Sequence, residues 1–414
     1  MEKLVFHVDV NSAFLSWEAM RRVKHGDDDL RLIPSAIGGD KDKRTGIILA
    51  KSIPAKKYGI KTGEPVAAAL RKCPNLVLAK PNFRLYEKCS KAFTDICREY
   101  TPVVEKVSID ECFMDMSGTG MIYPDPIKIA YEIKEKIRDT LGFTVNVGVS
   151  CNKILAKMAS DLEKPDKVHT LFPDEIEEKI WRLPIRELYS VGAATAVRLS
   201  GAGIRTIGDL ARSDLRFVQK LLGEKSGKLL HDYANGIDDS IVHEVHDEAK
   251  GFSISTTLED DVLDRDTAHR VLLALADSVS ARIRADDAKA FCVSVTIRSN
   301  DFKNRSHQRK IDEPTDITSE IYRISCELFD HLWDKKTPLR LLGIALTDIV
   351  RDEYSQGCLF CDENKEKERK LDKAIDSIRG KFGSDMIVRG ATYNSKINVG
   401  KKYKAQIENK REEE

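Results

Sequence analysis

The chain has 414 residues, 33% of them charged and 41% hydrophobic, and its 68 basic and 67 acidic residues leave a net charge of +1. This length exceeds one hydrophobic core and predicts two to four domains, while no apolar run is long enough for a bilayer and no apolar leader follows Met1. Nine scattered cysteines do not resemble a secreted disulfide framework, so we expect a cytoplasmic protein with reduced thiols.

The first predicted elements are a strand and a helix on either side of a carboxylate. Residues 3–8 have strand character, residues 11–20 have apolar positions at helical spacing, and Asn11 or Ser12 is the candidate N-cap. Asp9 lies at this junction. Residues 31–77, rich in Gly, Lys and Ala, are interpreted as an insert in a larger domain, and residues 38–40 within them as a turn.

An acidic hairpin is the most informative predicted element. Two short apolar runs within residues 104–115 meet at Asp110 and Glu111, which places both carboxylates at the tip. Taken alone, Asp9 is more often a helix cap or turn residue, but one sheet can gather all three acids at neighbouring strand ends. Such a cluster repels itself without cations, and Mg2+ is held by carboxylates together with substrate phosphates. The pattern predicts phosphoryl transfer at a two-metal site.

Two lysines follow the next predicted strand, at 144–150. Lys153 and Lys157 lie four residues apart on one face of a helix that begins near Ser150. Helix N-termini attract anions, so either lysine is a candidate for holding a phosphate, and a solvated helix face is the alternative. With amphipathic helices predicted at 85–100 and 127–141, these elements indicate an α+β sheet domain.

A helical region follows, from 173 to about 236, with short segments separated by glycines. Residues 189–210 have the glycine hairpin and apolar spacing of a helix-hairpin-helix element, whose backbone N–H groups can bind a DNA phosphate without reading sequence. A plain helical turn is the alternative. The candidate DNA-binding residues here are Val191, Gly192, Gly201 and Gly203.

Residues 243–251 are polar and are interpreted as a linker or a surface loop. Residues 253–350 alternate strand, helix, two strands, helix and strand, which predicts a small split βαβ domain. A basic run within it is a candidate phosphate-binding patch, and a solvated strand face is the alternative. The run consists of Arg298, Lys303, Arg305, Arg309 and Lys310, with only Asp301 opposing them locally. Residues 351–414 include one predicted helix, at 366–382, and a Cys358–Cys361 pair that lacks the partners of a zinc site.

Four motifs, in this order, resemble those of Y-family translesion DNA polymerases of the bacterial DNA polymerase IV and UmuC-like group. They are His7-Val-Asp-Val-Asn-Ser-Ala-Phe14, Ser108-Ile-Asp-Glu-Cys-Phe-Met-Asp115, the segment 149–161 with Lys164-Pro165, and the glycine hairpin near residue 200. The resemblance covers residues 1–350 and implies a right-handed polymerase. Its expected domains are a palm (1–12 and 82–172), fingers (13–81), a helical thumb (173–242), a linker (243–252), a little finger (253–350) and a tail (351–414).

The resemblance also implies roles for individual residues. Asp9, Asp110 and Glu111 would hold two Mg2+ ions, with the Val10 carbonyl adding an oxygen. Phe14 would be the steric gate that occupies the space of a ribose 2'-hydroxyl. Lys157 would contact the incoming deoxynucleoside triphosphate, while the glycine hairpin and the basic run would hold primer-template DNA.

One departure from the family pattern lies in the fingers. Where the family often has a tyrosine and an arginine for the triphosphate, this chain has Ile53 and Lys56. Lysine keeps the charge but lacks the planar fork of arginine, so we expect Lys56, with help from Lys51, to make a simpler contact.

A short peptide in the tail has a separate implication. Gln356, Leu359 and Phe360 match the glutamine-x-x-Leu-Phe pattern with which bacterial polymerases bind the sliding clamp, and we expect a monomer tethered in this way. Two other functions are considered: a DNA-binding scaffold without catalysis, and a two-metal nuclease. The complete acidic set with Lys157 argues against the first, and Phe14 with the order of the motifs argues against the second.

Overall fold

The computed structural model of this chain describes residues 3–40, 46–244, 248–351, 363–383 and 386–392. These residues form two compact units; the first contains nearly all described residues before 245, and the second those from 248 on. Within these ranges, no helix combines the length and the apolar character needed to cross a membrane.

The first unit begins with interspersed strands and helices and ends in a series of helices. In chain order its elements are β1 (Val5–Val10), α1 (Ala13–Lys24), β2 (Ser35–Gly38), β3 (Ile48–Lys51), α2 (Ile53–Lys56), α3 (Val66–Lys72), β4 (Val77–Ala79), α4 (Phe83–Arg98), β5 (Val104–Lys106), β6 (Glu111–Asp115), α5 (Pro126–Leu141), β7 (Val145–Ser150), α6 (Lys153–Asp161), β8 (Val168–Thr170), α7 (Ile176–Lys179), α8 (Ala193–Gly201), α9 (Ile207–Ala211), α10 (Leu215–Leu222) and α11 (Glu224–Ala234). Single 3-10 turns lie at Thr119–Met121, Pro173–Glu175 and Ile185–Glu187.

A five-stranded sheet in the order β5-β6-β1-β7-β8 forms the centre of this unit. β1 is antiparallel to both neighbours, β6 and β7, while β7 and β8 run parallel. Side chains alternate between the two faces of a strand. Phe6, Val8 and Val10 therefore join the core under α4 and α5, whereas His7 and Asp9 lie on the face toward α6.

One glycine allows α6 to approach this sheet closely. A Cβ added at Gly148 in β7 would lie 2.0 Å from the Ala156 carbonyl oxygen and 2.5 Å from the Ser160 nitrogen, both in α6. Any larger residue would push the helix outward, because backbone atoms cannot yield at such distances. The lysines of α6 are thereby brought next to β1.

The insert predicted at 31–77 forms a small sheet of its own, in the order β3-β2-β4, with α2 and α3 beside it. The N-cap prediction for the first helix is only partly correct. Ser12 occupies the N-cap position of α1, but its backbone is left-handed at φ 48° and its side chain makes no capping bond. The strand also continues beyond residue 8 and includes Asp9 and Val10.

The second unit has the strand-helix-strand-strand-helix-strand order expected from the sequence. Its elements are β9 (Gly251–Val262), α12 (Arg265–Ala285), β10 (Lys289–Ser299), β11 (Asn304–Thr315), α13 (Thr318–Leu332), β12 (Leu339–Val350) and α14 (Glu363–Phe382), with a 3-10 turn at Gly390–Thr392. The sheet order is β11-β10-β12-β9, and its apolar face packs on α12 and α13. Buried Arg284 of α12 pairs with Asp372 and Asp376 of α14, so the predicted C-terminal helix lies against this unit.

Candidate active site

Two carboxylates lie opposite each other at one end of the central sheet. Asp9 in β1 and Glu111 in β6 are partners in the antiparallel register, so their side chains are on the same face. Val107 to Asp110 connect β5 with β6, which confirms the predicted hairpin, but Glu111 is the first residue of β6, so only Asp110 lies at the predicted tip. Both side chains are largely shielded, with 12% and 21% of their surfaces exposed. The close approach of two acids needs positive charge beside them.

That charge comes from Lys157 in α6. Its Nζ lies 2.6 Å from Glu111 Oε2, 3.7 Å from Asp9 Oδ2 and 3.6 Å from an oxygen of Asp161. Burial by itself would lower the pKa of Lys157, but the three carboxylates outweigh it and the pKa is raised. The ammonium group therefore stays charged between the two acids.

A second lysine, Lys164, for which the sequence indicated no role, reaches the same two acids' neighbourhood through Asp9. Lys164 Nζ makes a short ion pair with Asp9 Oδ2 and lies 2.8 Å from Asp161 Oδ1. Burial opposes its charge, yet Asp9 and Asp161 raise the pKa of Lys164. The Lys-Pro pair three residues beyond α6 was the only signal for it in the sequence.

His7 is the other neighbour of Glu111 that received no role from the sequence. The ring is fully buried, with Nδ1 2.8 Å from Ser160 Oγ and Nε2 3.2 Å from Glu111 Oε2. Burial lowers the pKa of His7, and a carboxylate neighbour favours the neutral tautomer with its proton on Nε2. The His7 Nε2 contact is longer than the 2.6 Å contact that Lys157 Nζ makes with the same oxygen.

The pKa of Glu111 leads to a prediction for acid stability. His7 and Lys157, both beside its Oε2, lower the pKa of Glu111 from 4.5 to about 2. A carboxyl with a depressed folded-state pKa stabilises the fold above the unfolded pKa, and this contribution is lost as the pH falls toward the folded value. We expect Glu111→Gln to flatten the dependence of the free energy of unfolding on pH between about 5 and about 2, measured by urea denaturation in EDTA. An acid dependence as steep as that of the wild type would contradict this.

Asp110 is placed differently from the other two acids. Its Oδ1 accepts a 2.6 Å hydrogen bond from Ser108 Oγ, and its carbonyl oxygen accepts from the Val10 N–H at 2.9 Å. In the described part of the chain, no three His, Cys, Asp or Glu side chains are grouped to hold a metal ion. The structure thus brings together Asp9 and Glu111, and the three-acid metal site with the Val10 carbonyl stays a prediction.

The donor set itself fits a divalent cation. Asp9 and Glu111 offer hard carboxylate oxygens on one face, which is the ligand type that Mg2+ prefers. Lys157 and Lys164 stand beside them, where they can neutralise the phosphates that complete such a site. This combination of acids and ammonium groups suits a reaction on a polyphosphate.

The two lysines of α6 have different partners. Lys153 Nζ contacts both oxygens of Glu105 at 2.7 Å and lies over the Phe113 ring at 5.0 Å. Glu105 also accepts from the His243 N–H at 2.9 Å. The ammonium of Lys153 is therefore engaged away from the acids, and of the two predicted phosphate candidates only Lys157 lies at Asp9 and Glu111.

Phe14 is the second residue of α1, shortly after the end of β1 that carries Asp9. Its ring stacks on Tyr86 at 4.7 Å and 14°, and it is partly buried in an aromatic group with Phe83 and Trp17. The ring is therefore held by its aromatic neighbours and keeps part of its surface exposed.

The two fingers residues that depart from the family pattern lie in α2, beside the smaller sheet. Lys56 ends α2 and is exposed, as is Ile53 at 60%.

The candidate DNA-binding residues lie in two separate places. In the first unit, Val191 is buried, Gly192 precedes α8, Gly201 ends it, and Gly203 has φ +89°, a conformation that favours glycine. No side chain of the described residues caps α8, which leaves its first N–H groups available to an anion.

In the second unit, the basic run lies at the end of β10 and along the exposed edge strand β11. Acids distant in sequence oppose part of it: Arg309 pairs with Glu327 at 2.6 Å, and Lys310 lies 3.6 Å from Asp348. Lys303 pairs with Asp301 at 2.8 Å, Arg298 donates to Asn304 at 2.6 Å, and Arg305 is exposed. The run is thus less unbalanced than its sequence indicates.

Three family models match successive parts of the chain. The impB/mucB/samB family matches residues 8–161, a thumb domain described for DNA polymerase-iota matches 186–238, and the impB/mucB/samB C-terminal domain matches 249–359. These ranges include the acidic residues, the glycine hairpin and the basic run.

Curated relatives match over nearly their whole length. The chain is 44% identical over 394 residues to DNA polymerase IV of Clostridium acetobutylicum, covering 94% of this chain and 98% of the relative. It is 37% identical to DNA polymerase IV of Acetivibrio thermocellus, with 94% and 97% covered. Among solved structures, a Y-family DNA polymerase chimera, Dbh-Dpo4(243-245)-Dbh, has the same fold with a TM-score of 0.71 at 22% identity, covering 84% of this chain and all of the other.

Proposed function

The chain belongs to the impB/mucB/samB family, the Y family of DNA polymerases, and on that premise we propose which of its residues carry the reaction and how. As a family member it is a DNA-directed DNA polymerase of the translesion type, dependent on divalent metal, that binds DNA and deoxynucleotides. The observation that supports our assignment is the opposition of Asp9 and Glu111 across β1 and β6, with Lys157 and Lys164 beside them.

We assign Asp9, Asp110 and Glu111, with the Val10 carbonyl, as the groups that would hold two Mg2+ ions. When bound, such ions activate the primer 3'-oxygen and stabilise the charge on the leaving pyrophosphate. Asp110 directly precedes Glu111, in the turn that leads into β6, which places its carboxylate near that of Glu111 along the chain. The choice of Mg2+ rests on the hard oxygen donors.

The lysines and Phe14 act on the nucleotide itself. Lys157 and Lys164 stand beside the acids, and their ammonium groups can neutralise the triphosphate where negative charge develops. The Phe14 ring, fixed by Tyr86, would fill the space of a 2'-hydroxyl and so select deoxyribose. Positioning and electrostatics supply the catalysis, because phosphoryl transfer needs little covalent chemistry from the protein.

We further propose that Lys56 contacts the triphosphate in place of the usual tyrosine and arginine. We expect Lys56→Ala to raise the Michaelis constant for the incoming deoxynucleotide about tenfold, since a hydrogen bond to a charged group is lost. Steady-state single-nucleotide insertion measures this. Lys57→Ala is the matched control, because Lys57 is the exposed lysine next in the chain. An unchanged constant for Lys56→Ala would remove the assignment.

We also propose the division into domains and the contacts with DNA. Palm, fingers, thumb, linker, little finger and tail keep the boundaries given from the sequence. The glycine hairpin from 191 to 203 would hold DNA phosphates through backbone N–H groups, and the basic run at 298–310 through its exposed cations. We also propose that the enzyme works as a monomer in the cytoplasm.

A sliding-clamp contact is proposed for Gln356, Leu359 and Phe360, which lie outside the described residues. We expect Leu359→Ala with Phe360→Ala to abolish the stimulation of synthesis by the bacterial sliding clamp, because the apolar anchors of the peptide are removed. Primer extension with and without clamp measures this, and synthesis without clamp is the internal control. Stimulation equal to that of the wild type would rule out this contact.

One experiment distinguishes a polymerase from the two alternative functions, a two-metal nuclease and a DNA-binding scaffold without catalysis. A labelled primer-template is incubated with Mg2+ and one deoxynucleotide, and extension is compared with cleavage of the same duplex. Templated extension identifies the polymerase, cleavage the nuclease, and binding without either reaction the scaffold.

A further inference from the structure

A buried amide in β7 holds the segment that carries Lys164. The Asn146 side chain has no solvent exposure, and its amide nitrogen donates to the carbonyl oxygens of Ser160 at 3.0 Å and Glu163 at 2.6 Å. Its amide oxygen accepts from Asn11 Nδ2 at 3.0 Å and from the Lys167 N–H at 3.3 Å. An amide offers two donors and two acceptor positions, so Asn146 uses its full capacity.

Asn11 extends this arrangement to the end of β1. The residue is 8% exposed, and its amide oxygen accepts from Thr144 Oγ1 and from the Asp166 N–H, both at 2.9 Å. The two amides therefore bind backbone groups of Ser160, Glu163, Asp166 and Lys167, on both sides of Lys164. Asn11 is also two residues from Asp9, which receives the Lys164 ion pair.

Other attachments lie mainly at the ends of this segment. Asp166 pairs with Lys134 at 2.9 Å, the Lys167 carbonyl oxygen accepts from the Val147 N–H at 2.9 Å, and the Leu162 N–H donates to the Ala159 carbonyl oxygen at 3.3 Å. Of these three, one reaches the backbone between 161 and 165, where Asn146 makes the shorter bond, 2.6 Å to the Glu163 carbonyl oxygen. Removal of the Asn146 amide would leave buried carbonyl and N–H groups without partners, which a chain relieves by moving the segment.

We infer that Asn146, acting through Asn11 and the backbone of residues 160–167, is a positioning residue that sets the Lys164 ammonium beside Asp9. The effect on nucleotide binding rests on the proposed function, in which Lys164 contacts the triphosphate. It adds a determinant of nucleotide binding, Asn146, that lies opposite Asp9 in the β1–β7 register and whose amide binds the segment 160–167. A displacement of about 1 Å in a positioned group can cost a large factor in rate or binding.

The test is a double-mutant cycle read in two ways. Asn146→Ala, Lys164→Ala and the double variant are compared with wild type, first by the free energy of unfolding in EDTA and then by the Michaelis constant for the incoming deoxynucleotide. Asn146→Thr, which keeps a hydroxyl, serves where the alanine variant does not fold. Asn235→Ala is the matched control, because its amide nitrogen also bridges two carbonyl oxygens, those of Ala211 at 3.2 Å and His231 at 2.9 Å.

We expect the stability losses of Asn146→Ala and Lys164→Ala to be less than additive, because the first already removes the Lys164 ion pair. Asn146→Ala should also raise the Michaelis constant about tenfold, with little further rise in the double variant. Asn235→Ala should cost stability, be additive with Lys164→Ala and leave the constant unchanged.

The outcomes separate this inference from the proposed function. Strict additivity in the unfolding cycle overturns the positioning role. Coupling in that cycle, with a Michaelis constant unchanged in Lys164→Ala, supports the positioning role and removes Lys164 from the triphosphate contact. Coupling in both measurements supports both.

Discussion

The double substitution Asp110→Ala with Glu111→Ala is expected to reduce templated primer extension by at least about 10³-fold. Glu111 is the first residue of β6, opposite Asp9 in the register, and Asp110 is the residue before it. Both carboxylates leave in one variant, so the charge that would hold the metal ions falls by two. Single-nucleotide extension with Mg2+, at enzyme concentrations high enough to detect residual turnover, measures the loss.

A second acid-lysine pair, between Glu105 of β5 and Lys153 of α6, provides the control. Glu105 contacts Lys153 at 2.7 Å and is 20% exposed, which closely matches Glu111 with Lys157 at 2.6 Å and 21%. Glu105→Gln therefore removes a comparable ion pair away from Asp9. We expect it to leave extension within a few-fold of wild type. Extension by the double variant at the wild-type rate, with DNA binding intact, would contradict the site assignment.

Phe14→Ala is expected to lower the discrimination against ribonucleotides by about 10²-fold, with smaller effects on deoxynucleotide addition. The Phe14 ring is stacked on Tyr86, which is fully buried, so the ring cannot move toward Tyr86 to make room for a 2'-hydroxyl. Alanine opens that space without changing the acids or the lysines. The ratio of kcat/KM for a deoxynucleotide to that for its ribonucleotide counterpart measures the effect.

Phe83 is the control for this substitution. It belongs to the same aromatic group, with ring centroids 6.2 Å from Phe14, and is 38% exposed. Phe83→Ala removes a ring of the same kind but leaves the Phe14 position filled, so sugar discrimination should change little. If Phe14→Ala discriminates as strongly as wild type, another group selects the sugar.

Much of the fold was predictable because it depends on local pattern. The alternation of apolar residues predicted the first strand, although with its end before Asp9, and the hairpin before Glu111, and helical spacing predicted α4, α5 and the helices from 173 onward. The order of elements in 253–350 followed from the same periodicities. The absence of a side-chain cap at Ser12 was not predictable, because it accompanies a left-handed backbone at that residue.

The acidic residues of the site could be predicted from the sequence, but the lysines that pair with them could not. Asp9 and Glu111 were expected to meet, since antiparallel strands place opposite residues side by side. Helical spacing could not separate Lys153 from Lys157, because both lie on one face of α6, and only the family resemblance singled out Lys157. Their partners, Glu105 and Glu111, are 48 and 46 residues away along the chain.

The sequence by itself determined the chemistry: a carboxylate in the first strand, an acidic pair at a hairpin and the motif order of a Y-family polymerase. Only the tertiary structure decided which cations meet those acids. Gly148 lets α6 approach β7 until Lys157 reaches Glu111, and the amides of Asn11 and Asn146 hold the segment that brings Lys164 to Asp9. Periodicity encodes the face on which a residue lies, whereas the partner on that face depends on how closely distant segments can pack.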